Sequence, residues 1–260
     1  MAESKKPAKK AAVEELPTGN ATGLRIGAVI LWIVAIGCEV LALLTVIGKL
    51  FKGVSSTMRI VIMIGFLVLD LVALIIGSQF WKKSNKIDPA SEKNKVKFWL
   101  WNNLGVIVAA FAFIPFIILV LLNKDTDKKT KAIASVVAVI ALLIGGLTSY
   151  DWNPISAEQL QAAKDNIKEE VYAYKGRDIY HFTDCNYIRE NNRNDGEIKV
   201  DKLDHYAAGE IAKAIEDGHT TLCKKCAKKH DLNNVENLLI EQGKDDDSDA
   251  VTEAPADTQG

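Results

Sequence analysis

The sequence predicts an α-helical membrane protein with four transmembrane helices, followed by a small α/β domain at its C-terminal end. Three observations predict this fold class. Four long apolar segments occupy the first half of the chain, and the net charge changes sign between the two halves. Only the second half combines polar helical segments with short stretches of alternating apolar and polar residues. The two halves are therefore expected to be separate domains.

The charge distribution separates a basic half from an acidic half. Residues 1–148 contain 18 Lys and Arg against 9 Asp and Glu, whereas residues 149–260 contain 14 against 24. These opposite balances explain the near-neutral total of −1. Because they have few apolar residues to bury, residues 1–23 and 244–260 are expected to be disordered tails, the first basic and the second acidic. The long polar start also leads us to expect no cleavable signal peptide.

Four apolar segments reach the length that spans a bilayer, about 20 residues for a hydrocarbon core roughly 30 Å thick. They are residues 26–48, 60–80, 98–122 and 132–148, within a predicted membrane domain of residues 24–152. Tryptophan and tyrosine stand mostly near the ends of the segments, as in aromatic belts. A soluble helical bundle is the alternative interpretation. Soluble helices have polar faces, however, and these segments have none.

The positive charges that flank the apolar segments predict their orientation. If the N-terminus is cytoplasmic, the cytoplasmic flanks contain 13 Lys and Arg, and the opposite flanks contain 7. Lys and Arg are enriched in the short loops on the cytoplasmic side of membrane proteins. We therefore expect a multi-pass protein of the cell membrane with both termini in the cytoplasm and the lipid bilayer as its first partner.

Two carboxyl groups interrupt the apolar segments near mid-membrane. Glu39 lies close to the centre of the first segment and Asp70 close to the centre of the second. A short loop joins these segments, so they are expected to be antiparallel neighbours with both carboxyls at one depth. Since a charged carboxylate is costly in hydrocarbon, at least one of them is expected to be protonated. Two interpretations remain open: a proton or cation relay, and a shared-proton hydrogen bond that holds two helices together.

The second half of the chain contains patterns of several short elements. Residues 153–170 predict a linker helix capped by Ser156, and residues 171–243 predict the α/β domain. Within that domain, a hairpin is expected at residues 171–174 and 178–181, a strand at 197–200, a helix at 203–217 ended by Gly218, and helical spacing at 226–242.

Two pairs of metal-ligand residues occur in the α/β domain. His181 and Cys185 have the spacing H-x3-C, and after 37 intervening residues Cys223 and Cys226 have the spacing C-x2-C. Three thiolates and one imidazole suit a tetrahedral zinc ion and leave no open position, which predicts a structural and not a catalytic site. Three other histidines compete for the fourth position, and spacing alone leaves the choice open. These are His205, His219 and, with three residues after Cys226, His230.

Residues around these ligands resemble a known family. The start Tyr180-His181-Phe-Thr-Asp-Cys185-Asn-Tyr and the end Thr221-Leu222-Cys223-Lys-Lys-Cys226 are similar to the small zinc module of the Ada DNA-repair protein and its relatives. The resemblance covers roughly residues 171–230 and implies that His181 is the fourth ligand. Leu222 departs from the family, in which proline is common at that position. The apolar segments are similar to those of four-helix membrane proteins of Gram-positive bacteria, which implies a bacterial protein.

The motifs exclude several functions and leave two main candidates, with an enzyme for membrane-tethered processing or repair ranked last. The sequence contains no phosphate-binding, dinucleotide-binding, zinc-protease or serine-hydrolase motif, and we expect no enzyme activity. The acidic domain also argues against specific nucleic-acid binding. The first candidate is a membrane-anchored zinc-binding module for interaction, assembly or regulation, with other membrane or cytoplasmic proteins as partners. The alternative is a small proton or cation transporter or channel subunit that uses Glu39 and Asp70, in which a homo-oligomer would help to enclose a pathway.

Overall fold

The computed structural model describes residues 19–242, apart from 192, 195–196 and 199–201. Residues 1–18 of the basic tail predicted at 1–23, and the whole acidic tail predicted at 244–260, lie outside the described residues. The chain divides after Pro154 into two compact units. The fold class is confirmed in its coarser form, because the first unit contains four long apolar helices and the second a small mixed sheet with short helices.

The first unit is built from five helices. They are α1 (Ala21–Val46), α2 (Ser56–Ile87), α3 (Lys95–Asn102), α4 (Leu104–Leu122) and α5 (Lys128–Ser149). All except α3 are long and apolar enough to cross a membrane, which agrees with the four predicted segments. Helix α1 begins within the predicted tail, because the Asn20 side chain accepts a hydrogen bond from the Gly23 amide and caps the helix there.

The third predicted segment is two helices and not one. The expectation of a single helix over residues 98–122 is wrong because the chain leaves helical geometry at Asn103, whose φ and ψ are −106° and 22°. The amide groups of Asn102 and Asn103 donate hydrogen bonds of 3.0 Å to the carbonyls of Phe98 and Trp99, one turn earlier. The Asn103 backbone amide still bonds the Trp99 carbonyl, so these side-chain bonds do not displace it. The Trp101 carbonyl, which would accept from residue 105 in a continuous helix, accepts a 2.7 Å hydrogen bond from the Trp81 indole N–H, and a new helix starts at Leu104. Pro115 lies inside α4 without ending it.

Small residues allow the long helices to approach closely. Ala28, Ala35 and Ala42 form a buried line on α1. On α2, a Cβ added to Gly77 would lie 2.9 Å from the Trp32 ring and 3.1 Å from the Ala28 carbonyl oxygen. Such small residues are typical of helix contacts in membranes, where close packing replaces the hydrophobic effect. Large apolar side chains face outward instead, among them Ile33, Phe111 and Leu122.

The second unit is a four-stranded sheet surrounded by short helices. Its elements in chain order are α6 (Ala157–Asn166), β1 (Val171–Tyr174), β2 (Ile179–Phe182), α7 (Asn186–Asn191), β3 (Arg193–Asn194), β4 (Glu197–Ile198), β5 (Leu203–Tyr206), α8 (Ile211–Asp217), β6 (Thr221–Leu222) and α9 (Lys224–Lys229). The main sheet has the order β5-β1-β2-β6, and β3 pairs with β4 in a separate ladder. The predicted hairpin is confirmed as β1 and β2, which are antiparallel. Half of the strand predicted at residues 197–200 is β4, and the rest lies outside the described residues.

Residues 203–217 contain a strand before their helix, so the prediction of one helix is wrong. Residues 203–206 form β5, an edge strand that pairs with β1. Leu203 and Tyr206 of this strand are buried, whereas Asp204 and His205 between them are not. Gly209, at φ 85°, then turns the chain into α8. The predicted end at Gly218 is confirmed, since this residue has φ 110° and its amide donates back to α8.

Residues 226–242 are mostly irregular, which contradicts their helical spacing. Helix α9 ends at Lys229, and Asp231 and Asn237 have positive φ values of 55° and 62° that interrupt any continuation. Ile240 pairs with Leu222 beside the sheet. The apolar residues of this segment therefore cover the sheet edge and do not form one face of a helix.

The predicted linker helix belongs to the core of the second unit. Ser156 caps α6 in a reciprocal capping box with Gln159, as the sequence indicates. Leu160 and Ala163 of α6 and Ile167 after it are buried in the same core as the central strands. The residues that follow Pro154 therefore help to hold the sheet together, in addition to connecting the two units along the chain.

Candidate metal centre

The structure brings the four predicted ligand residues together. One ligand atom from each of His181, Cys185, Cys223 and Cys226 lies within 4.8 Å of all the others, and all four residues are buried. The His181 Nδ1 atom lies 3.5 Å from the Cys185 Sγ atom, so Nδ1 is the nitrogen that faces the thiols. Around a tetrahedral zinc ion, the sulfur atoms are about 3.8 Å apart. The group is therefore compact enough to hold one metal ion.

Parallel strands place the two ligand pairs side by side. Strands β2 and β6 are parallel, with Tyr180 opposite Leu222. His181 is therefore near Cys223, the residue that follows β6, and the Cys223 amide donates a 3.0 Å hydrogen bond to the Tyr180 carbonyl. Parallel strands end at the same edge of a sheet, so residues far apart in sequence meet there. The remaining two ligands follow their partners by one short turn each.

Local structure directs the two later thiols to one point. Cys223 precedes α9 as its N-terminal flanking residue, and Cys226 lies in the first turn. The Ala227 amide donates to the Cys223 carbonyl at 2.9 Å, which fixes this turn. In the first pair, the Cys185 amide donates to the Phe182 carbonyl at 3.0 Å and bends the chain back after β2. Both C-x2-C and H-x3-C spacings thus correspond to a single tight turn.

Crowding of the ligand groups shifts their protonation. Hydrogen bonds with the Cys185 and Cys226 thiols lower the pKa of Cys223 well below the usual range of thiols. Hydrogen bonds with Cys185 and Cys223 raise the pKa of Cys226 instead. Burial lowers the pKa of His181, but hydrogen bonds with Cys185 and Cys223 outweigh burial and raise that pKa to about 9. Metal binding to such a group releases the protons that the ligands share.

Each of the other histidines has a different set of contacts. His230 Nε2 lies 3.0 and 3.1 Å from the two carboxylate oxygens of Asp184, and its ring packs on Phe182. His219 Nδ1 contacts the Arg177 carbonyl at 2.6 Å. His205 stacks on Tyr172. The geometry therefore leaves His181 as the histidine of the group, which resolves the choice that spacing left open.

A carboxylate beside the ligands is a contact that the sequence did not predict. Asp184 directly precedes Cys185 and forms a 2.7 Å ion pair with Lys229 as well as its contact with His230. Burial raises the pKa of Asp184, but hydrogen bonds from Lys229 and His230 outweigh burial and lower it. Asp184 thus ties the turn between the first ligand pair to the end of α9. Its position next to a ligand was the only signal in the sequence.

Four lysines surround the second ligand pair: Lys224, Lys225, Lys228 and Lys229. Lys229 pairs with Asp184, and the Lys225 ammonium lies 4.9 Å from the centre of the Tyr187 ring. Lys225 and Lys229 therefore have partners within their own unit. The expectation of no specific nucleic-acid partner stays a prediction.

The two predicted mid-membrane carboxyls are buried in the first unit. Glu39 is 6% exposed and Asp70 is 0% exposed. Neither Glu39 Oε1 nor either carboxyl oxygen of Asp70 has a hydrogen-bond partner among the described residues. Asp151, beyond α5, is another buried carboxyl, and burial raises its pKa.

Comparisons of the chain with protein-family models, with curated proteins and with solved structures find no match. The resemblance of residues 171–230 to Ada-like modules therefore stays a prediction that depends on the motifs and their spacing.

Proposed function

We propose that this protein is anchored in the cell membrane and that its second unit is a zinc-binding module for protein interaction, assembly or regulation at the membrane. The observation that carries the proposal is the closed, buried group of His181, Cys185, Cys223 and Cys226. Such a group fixes the shape of a small domain whose surface is then free to bind a partner. The four long apolar helices supply the anchor.

The donor set supports zinc as the ion. Thiolates are soft ligands that select zinc, monovalent copper or iron–sulfur clusters, and imidazole also binds zinc well. Iron–sulfur clusters in most proteins take four cysteines, or two histidines on one iron. Three cysteines with one histidine in a tetrahedral arrangement are typical of structural zinc. The ion thus holds together β2, β6 and α9.

The ligand number supports a structural role for this zinc. A catalytic zinc ion keeps one position for water or substrate, whereas four protein ligands fill all positions. The four ligand residues are also buried, at 0% to 7% exposure. This arrangement supports a role in binding and assembly over one in catalysis.

We also propose that both termini are cytoplasmic, because the flanks assigned to that side contain 13 Lys and Arg against 7 on the other. A C-terminal reporter that is active only outside the cytoplasm should remain inactive on the intact chain, and the same reporter placed in the loop after α4 should be active. The reverse pattern would contradict the topology.

Crosslinking in cells tests the module's function. The full-length protein should capture a reproducible set of membrane or cytoplasmic proteins, and Cys223→Ser should lose that set together with the metal. Cys38→Ser is the matched control, since Cys38 lies in α1 and is the one cysteine outside the group. Unchanged partners with a metal-free Cys223→Ser protein would contradict the proposal.

A second candidate is a small proton or cation transporter or channel subunit that uses Glu39 and Asp70. The specific observation in its favour is that their buried carboxyl oxygens have no partner among the described residues. Polar residues buried inside membrane segments commonly mark ion or proton pathways. A homo-oligomer would supply the additional helices that such a pathway needs.

A further inference from the structure

The packing of α1 on α2 places Glu39 and Asp70 at the same depth. Gly77 meets Trp32 where the two helices are in contact. Glu39 follows Trp32 by seven residues, and Asp70 precedes Gly77 by seven residues. On antiparallel helices, seven residues correspond to about 10.5 Å in the same direction. The two carboxyl groups therefore lie opposite each other, two turns from this contact.

Apolar clusters close both sides of the carboxyl pair. On one side lie the buried residues Ala35, Ala73, Leu74 and Ala109. On the other side lies a larger cluster that includes Ala42, Val46, Met63, Leu67 and Phe116. The pair is thus enclosed between two apolar layers of the same helix bundle. A charge at this point is costly, and two neighbouring negative charges cost still more.

The described elements around the pair supply no positive side chain at its depth. The charged groups of α1 and α2 other than the pair lie near the helix ends: Arg25, Arg59, Lys82, Lys83 and Lys86. Helix α4 has no titratable residue, and those of α5 are Lys128, Lys129 and Lys131 in its first turns. Cys38, next to Glu39, is the remaining titratable group nearby. Neutralisation therefore has to come from a bound cation or from protons.

The number of oxygen ligands favours a proton over a metal cation. Calcium takes six to eight oxygen ligands and magnesium six. The pair offers at most four carboxyl oxygens, and the helix carbonyls beside them are used in hydrogen bonds along α1 and α2. A proton needs only two oxygens, which one carboxyl from each helix provides. Two adjacent carboxyls that share a proton are also a known way to avoid two like charges.

We propose that Glu39 and Asp70 form one exchangeable proton-binding site, in which a proton shared between the two carboxyl groups is bound and released. If the protein is a transporter, this site makes the proton its substrate. Only the use of the site in transport rests on the transporter candidate. Proton exchange at the site can be measured without measuring proton flux across a membrane. The proton-binding site and the transporter candidate can therefore be rejected separately. The zinc-binding module does not enter the argument.

Infrared difference spectroscopy on the full-length protein in lipid tests the site. A protonated carboxyl has a C=O stretch that is separate from the bands of ionised carboxylates and shifts in heavy water. At neutral pH the wild type should show this band, and the double variant Glu39→Gln with Asp70→Asn should lose it. Asp151→Asn is the matched control, because Asp151 is a buried carboxyl beyond α5. The band of the pair should remain in that variant.

A pH series distinguishes exchange from a permanent neutral contact. The ratio of protonated to ionised carboxyl should fall by roughly tenfold per pH unit on the alkaline side, as one-proton binding requires. Each single variant, Glu39→Gln or Asp70→Asn, should move the profile of the remaining carboxyl by about one pH unit or more, since the two groups titrate together. Profiles that do not move would mean two independent carboxyls and would contradict a shared site.

Two further outcomes would overturn the proposal. If sodium, potassium or calcium removes the band relative to choline at equal ionic strength, the pair binds a metal cation. If the band persists up to the pH at which the protein unfolds, the pair is a permanently neutral helix contact. Normal exchange together with no proton flux in vesicles would leave the site in place and reject the transporter candidate alone.

Discussion

The two units of this protein each bury a cluster of polar side chains, but these side chains find different partners. In the second unit, four soft ligands converge on one point, and a carboxylate beside them pairs with Lys229 and His230. In the first unit, the carboxyl groups of Glu39 and Asp70 are buried, and three of their oxygens have no hydrogen-bond partner among the described residues. The cluster of the second unit could hold a metal ion, and we propose a proton for the carboxyl pair of the first unit.

This difference follows from the chemistry of the side chains and from their surroundings. Thiolates and imidazole form strong bonds to a soft cation, and the binding free energy can replace the large core that a small domain lacks. Carboxylates in an apolar bundle have no such ligand set, and protonation is the least costly way to remove their charge. The same requirement, that no charge is buried unpaired, thus leads to two kinds of site.

The largest effect is expected from loss of the metal ligands. The full-length protein should contain one zinc per chain. The Cys223→Ser variant should bind no zinc, and its second unit should be unfolded. Metal binding in small zinc domains contributes on the order of 10 kcal/mol. Elemental analysis and protease resistance of the second unit measure both effects, with Cys38→Ser as the control. A folded second unit without stoichiometric metal would show that its buried ligand cluster needs no metal ion, in contrast to the comparison made above.

A smaller effect is expected where α1 and α2 touch. Gly77→Leu should destabilise the first unit by roughly 1–3 kcal/mol, because the new side chain meets the Trp32 ring and the Ala28 carbonyl at once. Gly65→Leu on the same helix is the control, since nothing lies within 4 Å of a Cβ added there. Thermal unfolding in detergent compares the two. Equal stability of both variants would contradict the contact between Gly77 and Trp32, from which the depth of Glu39 and Asp70 is inferred.

Substitutions at Asp70 separate hydrogen bonding from titration. Asp70→Asn keeps the size and hydrogen-bonding capacity of the side chain and should leave stability close to that of wild type. If a proton shared with Glu39 joins α1 to α2 as proposed, Asp70→Leu should lower stability by roughly 1 kcal/mol, the scale of one interhelical hydrogen bond in lipid. Unfolding of both variants in detergent measures the difference. A leucine variant as stable as wild type would mean that Asp70 contributes no hydrogen bond to the bundle.

The smallest effect is expected at a buried hydroxyl beside the metal centre. Tyr180 is fully buried, and its hydroxyl has no hydrogen-bond partner among the described residues. Because an unsatisfied buried hydroxyl is costly, Tyr180→Phe should leave the second unit as stable as wild type or more stable by up to about 1 kcal/mol. Protease resistance of the zinc-loaded protein reports this. A clear loss of stability would show that the hydroxyl has a partner.

The pattern of apolar residues predicted secondary structure correctly where one type of element was favoured. It failed where contacts with other elements competed with the local pattern. Apolar length alone predicted four long helices, because the bilayer leaves helices as the simplest solution for a single apolar segment. It failed at Asn103, where the Trp101 carbonyl accepts a hydrogen bond from the Trp81 side chain of α2 in place of the next turn of its own helix. It also failed at residues 203–206, where pairing with β1 outweighs helical spacing.

The sequence by itself determined the number and approximate positions of the four long apolar helices, the change of charge between the halves and the spacing of two ligand pairs. Each of these depends on residues that are near one another along the chain. Only the tertiary structure decided which histidine joins the three thiols, because the parallel pairing of β2 with β6 brings His181 and not His230 to Cys223. It also shows that α1 and α2 touch at Gly77 and Trp32, which supports the common depth expected for Glu39 and Asp70. Both contacts join residues far apart in sequence, so the spacing of residues along the chain leaves them open.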